Sequence, residues 1–157
     1  MAAPDGQAPD KTPEQIAQDV TDTLLAEDAA SRMLGIELLE VRPGYARLAM
    51  TVRADMLNGF KMMHGGLTFT LADSAFAFAC NSHNKMTVAQ SCDVDFTNAA
   101  KEGDVLTAEC REAFLRGRSG VYDVSVTNQD GVVIALFRGK SRTLGQPIVP
   151  SLPQADV

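Results

Sequence analysis

The sequence is poor in metal-binding and cross-linking side chains, with two histidines and three cysteines in 157 residues. Two histidines leave little material for a metal site. Three cysteines, an odd number without metal-ligand spacing, point to a reducing cytosol and not to a disulfide framework. No basic start followed by an apolar run opens the chain, so no signal peptide is expected. No apolar run approaches the ~20 residues of a membrane helix. Basic residues are outnumbered 14 to 20, for a net charge of −6. General nucleic-acid affinity rests on phosphate neutralisation and is disfavoured, although a small basic pocket for a phosphorylated cofactor is compatible with that charge. The GxxxxGKS/T and GxGxxG patterns are missing, so a nucleoside-triphosphate or dinucleotide site has no support. The G-x-S-x-G elbow is missing too, which weighs against a Ser-His-Asp hydrolase.

What is present suits one soluble domain: 45% hydrophobic and 22% charged residues. Residues 1–11, rich in Ala, Pro, Gly and Asp, read as a disordered tail. The domain is expected over 12–145, and the Pro-rich stretch 146–157 reads as a flexible tail. Pro13 to Met33 reads as one helix, with Thr12 as N-cap, Pro13 in the first turn and Gly35 as its end. Two strands follow, Ile36 to Val41 and Tyr45 to Val52, around a Pro43-Gly44 turn. Four more are expected at Met86 to Thr97, Asp104 to Leu115, Gly120 to Thr127 and Gly131 to Thr143. The last two flank an Asn128-Gln129-Asp130-Gly131 turn.

Between the two sets of strands lies the stretch that organises the chain, His64 to Cys80. Leu67, Leu71, Ala75 and Phe78 recur at helical spacing, and Phe69, Ala72, Phe76 and Ala79 fill the other side. A helix apolar nearly all round is a buried one. One antiparallel sheet wrapping this helix accounts for the element order, an α+β arrangement.

Asp73 is the only Asp, Glu, Lys or Arg between Met63 and Lys85. A carboxylate at the middle of a buried helix must find hydrogen bonds or have its pKa raised. It reads either as an acid satisfied by a nearby backbone group or Arg, or as a general base or nucleophile. Gly65-Gly66 reads either as a close-packing device or as a helix start whose free N–H groups receive an oxyanion. His64 is a base or an orienting group, and His83 reads as a surface residue. Asn58 is half of an Asn-Gly turn or an amide at the site mouth. Ser91 is a plain strand residue or a hydroxyl holding a water. Arg116-Gly117-Arg118-Ser119-Gly120 is a solvated hairpin or a phosphate cradle, with Arg138-Gly139-Lys140 close by if the last strands pair with it.

Eight residues separate Gly65 from Asp73, or ~12 Å of helix. A reacting carbon should lie ~3 Å from both the attacking group and the oxyanion donor. One helix does not satisfy both. If both act in one site, Asp73 comes from a second subunit.

The run His-Gly-Gly-x-x-Phe-x-Leu-Ala-Asp-x-Ala-Phe-Ala-x-Ala-Cys-Asn-Ser, from His64 to Ser82, resembles the signature of the hotdog-fold acyl-CoA thioesterases. It is most similar to their phenylacetate-degradation branch. Gly117-Arg118-x-Gly-x-Tyr-Asp-Val, ending at Val124, and the Asn128 to Gly131 turn extend the likeness over about Met33 to Leu144. The resemblance implies a hotdog fold and homodimers paired sheet edge to edge, assembling as dimers of dimers, with sites at the dimer interface. It implies Asp73 as general base or nucleophile and the Gly65 N–H as oxyanion donor, with Gly66 beside it. Asn58 and His64 would orient the thioester, and Ser91 would help to position the attacking water. Arg116, Gly117, Arg118, Gly120 and Lys140 would contact the CoA phosphates. The expected activity is hydrolysis of arylacetyl-type CoA thioesters, such as phenylacetyl-CoA or hydroxyphenylacetyl-CoA, in the cytoplasm. Neither a metal nor a redox cofactor is expected, and neither is a nucleic-acid or membrane partner. Two rivals are a non-catalytic acyl-CoA sensor and a hotdog enoyl-CoA hydratase or dehydratase using His64 with Asp73.

Overall fold

A computed structural model describes residues 10–156; the expected tail over residues 1–9 lies outside the described residues. Helix α1, Pro13–Glu27, opens with a capping box in which Thr12 and Gln15 each bond the other's backbone N–H. It buries Ala17, Val20 and Thr21. The single helix expected to Met33 is two. At Asp28 the backbone leaves helical geometry (ψ 85°), and the Asp28 carboxylate accepts bonds from the Ser31 N–H and hydroxyl. Asp28 therefore caps a second helix, α2, Ala29–Leu34, which Gly35 ends at φ +70°.

Six strands follow the expected runs: β1 Glu37–Arg42, β2 Tyr45–Thr51, β3 Thr87–Phe96, β4 Val105–Arg116, β5 Ser119–Thr127 and β6 Val133–Thr143. They form one sheet in the order β1-β2-β4-β5-β6-β3, with every neighbouring pair antiparallel. The Asn128 side chain builds the β5–β6 turn by accepting bonds from the Asp130 and Val132 N–H groups.

Helix α3, Gly65–Asn81, runs between His64 and Ser82 and packs on β2, β4 and β5. This is the expected α+β arrangement, a hotdog fold. Its inner face meets a row of rings, Phe69 on Phe137, Phe137 on Phe76 and Phe76 on Tyr122, with centroids 5.4, 5.8 and 5.5 Å apart. Gly139 of β6 lets the helix come close, because a Cβ there would stand 2.8 Å from the Phe76 ring.

The turn after α3 differs from the polar exit that the sequence suggests. Ser82, His83 and Asn84 are buried. His83 is not a surface residue: its Nε2 lies 2.9 Å from Glu112 Oε2, and the Tyr122 hydroxyl donates to the same oxygen at 2.8 Å. Asn84 (φ +56°) holds the stretch read as a flexible tail. Its amide donates to the carbonyls of Val149, Leu152 and Pro153, and its oxygen accepts from the N–H groups of Ile148 and Val149. The segment lies as a strap across the end of α3.

Candidate active site

The N-terminus of α3 is shaped by His64. Its Nδ1 accepts the Gly66 N–H at 3.0 Å, and its carbonyl accepts the Leu67 N–H. The Gly66 donor is thus taken by the cap. The Gly65 N–H has no acceptor among the described residues, so it is the open donor of this helix start. An accepting Nδ1 places the proton of a neutral His64 on Nε2.

Asn58 works within its own loop. Its side-chain oxygen accepts the N–H groups of Phe60 and Met62, and its backbone N–H meets the Met62 carbonyl. The structure records no bond between Asn58 and His64. The loop and Phe96 of β3 border an open groove of ≈ 320 Å³ beside Gly65, lined also by Thr68, Asn98 and Ile134. The Phe96 ring covers Gly65, where a Cβ would stand 3.1 Å from it.

Asp73 lies in the third turn of α3, half-buried. Burial pushes its carboxyl above the usual range. Among the described residues it has neither a hydrogen-bond partner nor an ion pair, so the reading as a satisfied structural acid has no support within the chain. Its charge is felt by two thiols. Cys80, seven residues on, is raised to about 12 by burial first and Asp73 second. Cys92 of β3 is also raised by burial first and Asp73 second. Asp73 therefore lies near β3, one of the two edge strands of the sheet.

Ser91 is on that strand but out of phase. A bulge at Gln90 shifts the register, Ser91 stands opposite Lys140 and is exposed, and Cys92 and Val94 pack on the core. The single chain does not bring Ser91 to Asp73.

Arg116, Gly117 (φ +59°) and Arg118 form the β4–β5 hairpin. Gly120 is a packing position, since a Cβ there would meet Ser141 Oγ and Tyr122 Cε2 at 2.7 Å. The register puts Arg116 opposite Ser119, Ser119 opposite Arg142, and Val121 opposite Lys140. Arg142, not Arg138, is thus the β6 cation beside the hairpin. Arg138 is engaged by Asp123 at 2.6 and 2.8 Å. Arg116, Arg118, Lys140 and Arg142 have no carboxylate partner among the described residues. Sequence reading missed Arg142 because only the β5–β6 register reveals it. It missed Glu112, the partner of His83 and Tyr122, because nothing local to β4 marks it.

Among the described residues, no three His, Cys, Asp or Glu side chains gather as a metal site, and no helix is long and apolar enough to cross a membrane.

Residues 60–135 match the thioesterase superfamily. The chain is 45% identical over 121 residues to the acyl-coenzyme A thioesterase PaaI of Escherichia coli K12, covering 77% of this chain and 86% of that protein. A solved structure of the E. coli PaaI protein, from the phenylacetic acid degradation operon, superposes with a TM-score of 0.85 at 40% identity, over 87% of this chain and 99% of that one. A hypothetical thioesterase protein of Streptococcus pneumoniae TIGR4, solved with coenzyme A, superposes with a TM-score of 0.69 at 27% identity, over 71% and 90% of the two chains.

Proposed function

The chain belongs to the thioesterase superfamily, and from that premise we propose that it hydrolyses arylacetyl-type CoA thioesters to a free acid and CoA. The observation that carries the site is Asp73, a half-buried carboxylate with no partner among the described residues, on a helix whose first N–H is open. The thioester carbonyl oxygen takes the Gly65 N–H, which stabilises the negative charge of the tetrahedral state. Asp73 removes a proton from water, the oxygen adds to the carbonyl carbon, and the C–S bond breaks with the electrons leaving on the CoA sulfur. In the nucleophilic variant, Asp73 itself adds, CoA leaves, and water opens the mixed anhydride. Neither route requires a metal or a redox cofactor.

With ~12 Å of helix between the two groups, Gly65 of one protomer serves Asp73 of another. The exposed edge strand β3 is the surface for that pairing, because its unpaired backbone groups accept another strand. We place His64 as the cap that leaves Gly65 open and Gly66 as the residue that satisfies that cap. Asn58 shapes the loop at the mouth, and Ser91 serves across the paired edge. Arg116, Gly117, Arg118, Gly120 and Lys140, joined by Arg142, receive the CoA phosphates. The protein works as a cytoplasmic homodimer or dimer of dimers.

The test is free-thiol release from phenylacetyl-, hydroxyphenylacetyl-, benzoyl- and straight-chain acyl-CoAs by wild type and Asp73→Ala. Turnover of the arylacetyl thioesters, lost by ~10²–10⁴-fold in the variant, is expected. Tight binding without turnover by the wild type would replace the enzyme with a sensor.

A further inference from the structure

Phe96 is the last residue of β3, and its neighbours fix where it sits. It pairs with the buried Ala135 of β6, on the side of the sheet where Cys92 and Val94 pack on the core. Side chains alternate along a strand, so the ring lies on the side of α3. Beyond it, the Thr97 hydroxyl and the Asn98 amide donate to the Val133 carbonyl at 2.6 and 2.8 Å. The Thr97 N–H donates to the Ile134 carbonyl at 2.9 Å. The start of α3 is tied to the same region, because the Met63 N–H donates to the Ala100 carbonyl at 2.9 Å. Both backbones are held, and the fold sets their spacing.

The ring itself reaches the first residue of α3. Its Cζ, Cε1 and Cε2 would stand 3.1, 3.2 and 3.5 Å from a Cβ on Gly65. The Cα–Cβ bonds of a helix tilt toward its N-terminus, and the free N–H groups of the first turn point the same way. The edge of the ring thus stands beside the open Gly65 donor, in the place a side chain would take. Ring and donor border the same groove of ≈ 320 Å³. Phe96 is nevertheless 55% exposed, so it is not a core residue that happens to pass by.

We propose that Phe96 is a positioning residue for the reaction: its ring walls one side of the Gly65 N–H, keeps water from competing for that donor, and directs the thioester carbonyl to it from the groove. The inference rests on the reading of Gly65 as oxyanion donor. Water beside a donor competes for it and raises the local dielectric, which weakens its bond to a developing oxyanion. A hydrocarbon ring does neither. Phe96 supplies no proton and no hydrogen bond of its own, and acts through Gly65. Both residues belong to one chain, so the wall is complete in each protomer before a partner brings Asp73.

The experiment compares wild type, Phe96→Ala, Phe96→Val and Phe96→Met on phenylacetyl-CoA, with the melting temperature and oligomeric state of each protein. Removing an oxyanion donor outright costs ~10²–10³ in kcat, so opening it to water should cost about tenfold. Ala and Val are too short to reach Gly65, and both variants should show that fall with KM nearly unchanged. Val favours strands, so Phe96→Val decides should Phe96→Ala fail to fold. Met is long and apolar, and Phe96→Met should restore most of the rate. A second readout is the infrared stretch of the thioester carbonyl bound unreacted to Asp73→Asn. Adding Phe96→Val should move that stretch to higher frequency, as a weaker hydrogen bond does, which a loss of stability alone would not produce. Unchanged kcat in the short variants, a change in KM alone, or a carbonyl stretch indifferent to Phe96→Val overturns this inference and leaves the thioesterase reading standing. No thiol release by wild type overturns the reading on which it rests.

Discussion

Asp73 concentrates the cost and the use of a charge in a helix packed on a sheet. Burial raises its pKa, so the unfolded chain gives up this proton more easily than the folded one. The sign follows: the folded state is penalised as pH rises through the ordinary Asp value, and the penalty is complete once pH exceeds the raised value. Asp73→Asn has no such penalty. Its melting temperature should match wild type below about pH 4 and exceed it at neutral pH, while kcat falls by roughly 10²–10⁴-fold. Thermal melts across pH beside kinetics check this, and a variant that loses stability at pH 7 would return Asp73 to a structural role. Glycines show the same division between use and cost. Gly65 offers an open N–H, while Gly139 and Gly120 only make room, for Phe76 and for Ser141 with Tyr122.

At the scale of elements, α3 is held at its C-terminal end by groups far away in sequence. The Gly44 N–H donates to the Ser82 hydroxyl, Glu112 bonds His83, and Asn84 fastens the strap 146–155 through its side chain and backbone. The Asn84 amide satisfies five backbone groups and the residue adopts the left-handed conformation that Asn tolerates better than most. Asn84→Ala removes all five bonds and strains the turn. We expect a loss of about 2–4 kcal/mol in urea unfolding, with hydrogen exchange faster over the strap than over the sheet. An exchange pattern unchanged over 146–155 would show that the strap is held by other contacts.

Among the described residues the sheet of the whole molecule has two edge strands, β1 and β3; β3 is the one near the candidate base, and the oxyanion donor lies too far along the same helix to serve that base. Pairing two copies resolves this, and a complementation experiment reads it directly. Proline is tolerated at the first position of a helix and has no N–H, so Gly65→Pro deletes the donor at the position where α3 accepts it best. The exposed Phe96 ring must swing aside for it. Gly65→Pro and Asp73→Ala, each inactive alone, should recover about a quarter of wild-type activity when mixed after dissociation, because half the random dimers carry one intact site of two. No recovery in verified heterodimers would place both groups in one protomer.

The sequence by itself determined the elements and the central helix. Helical spacing from Leu67 to Phe78, Pro43-Gly44, Asn128 to Gly131 and the Thr12-Pro13 start are local signals, and local backbone preferences and side-chain periodicity are enough to read them. It also singled out Asp73, since one charge in an apolar helix is conspicuous without coordinates. Tertiary structure decided what depends on register and on distant partners. The break at Asp28 came from a side chain capping Ser31, a choice that helical periodicity does not record. His83 became buried because Glu112, on another element, pays for its desolvation. Ser91 faces away from the helix because a one-residue bulge at Gln90 changes the phase of β3. Arg142 stands beside the hairpin only because β6 pairs with β5 in one particular register.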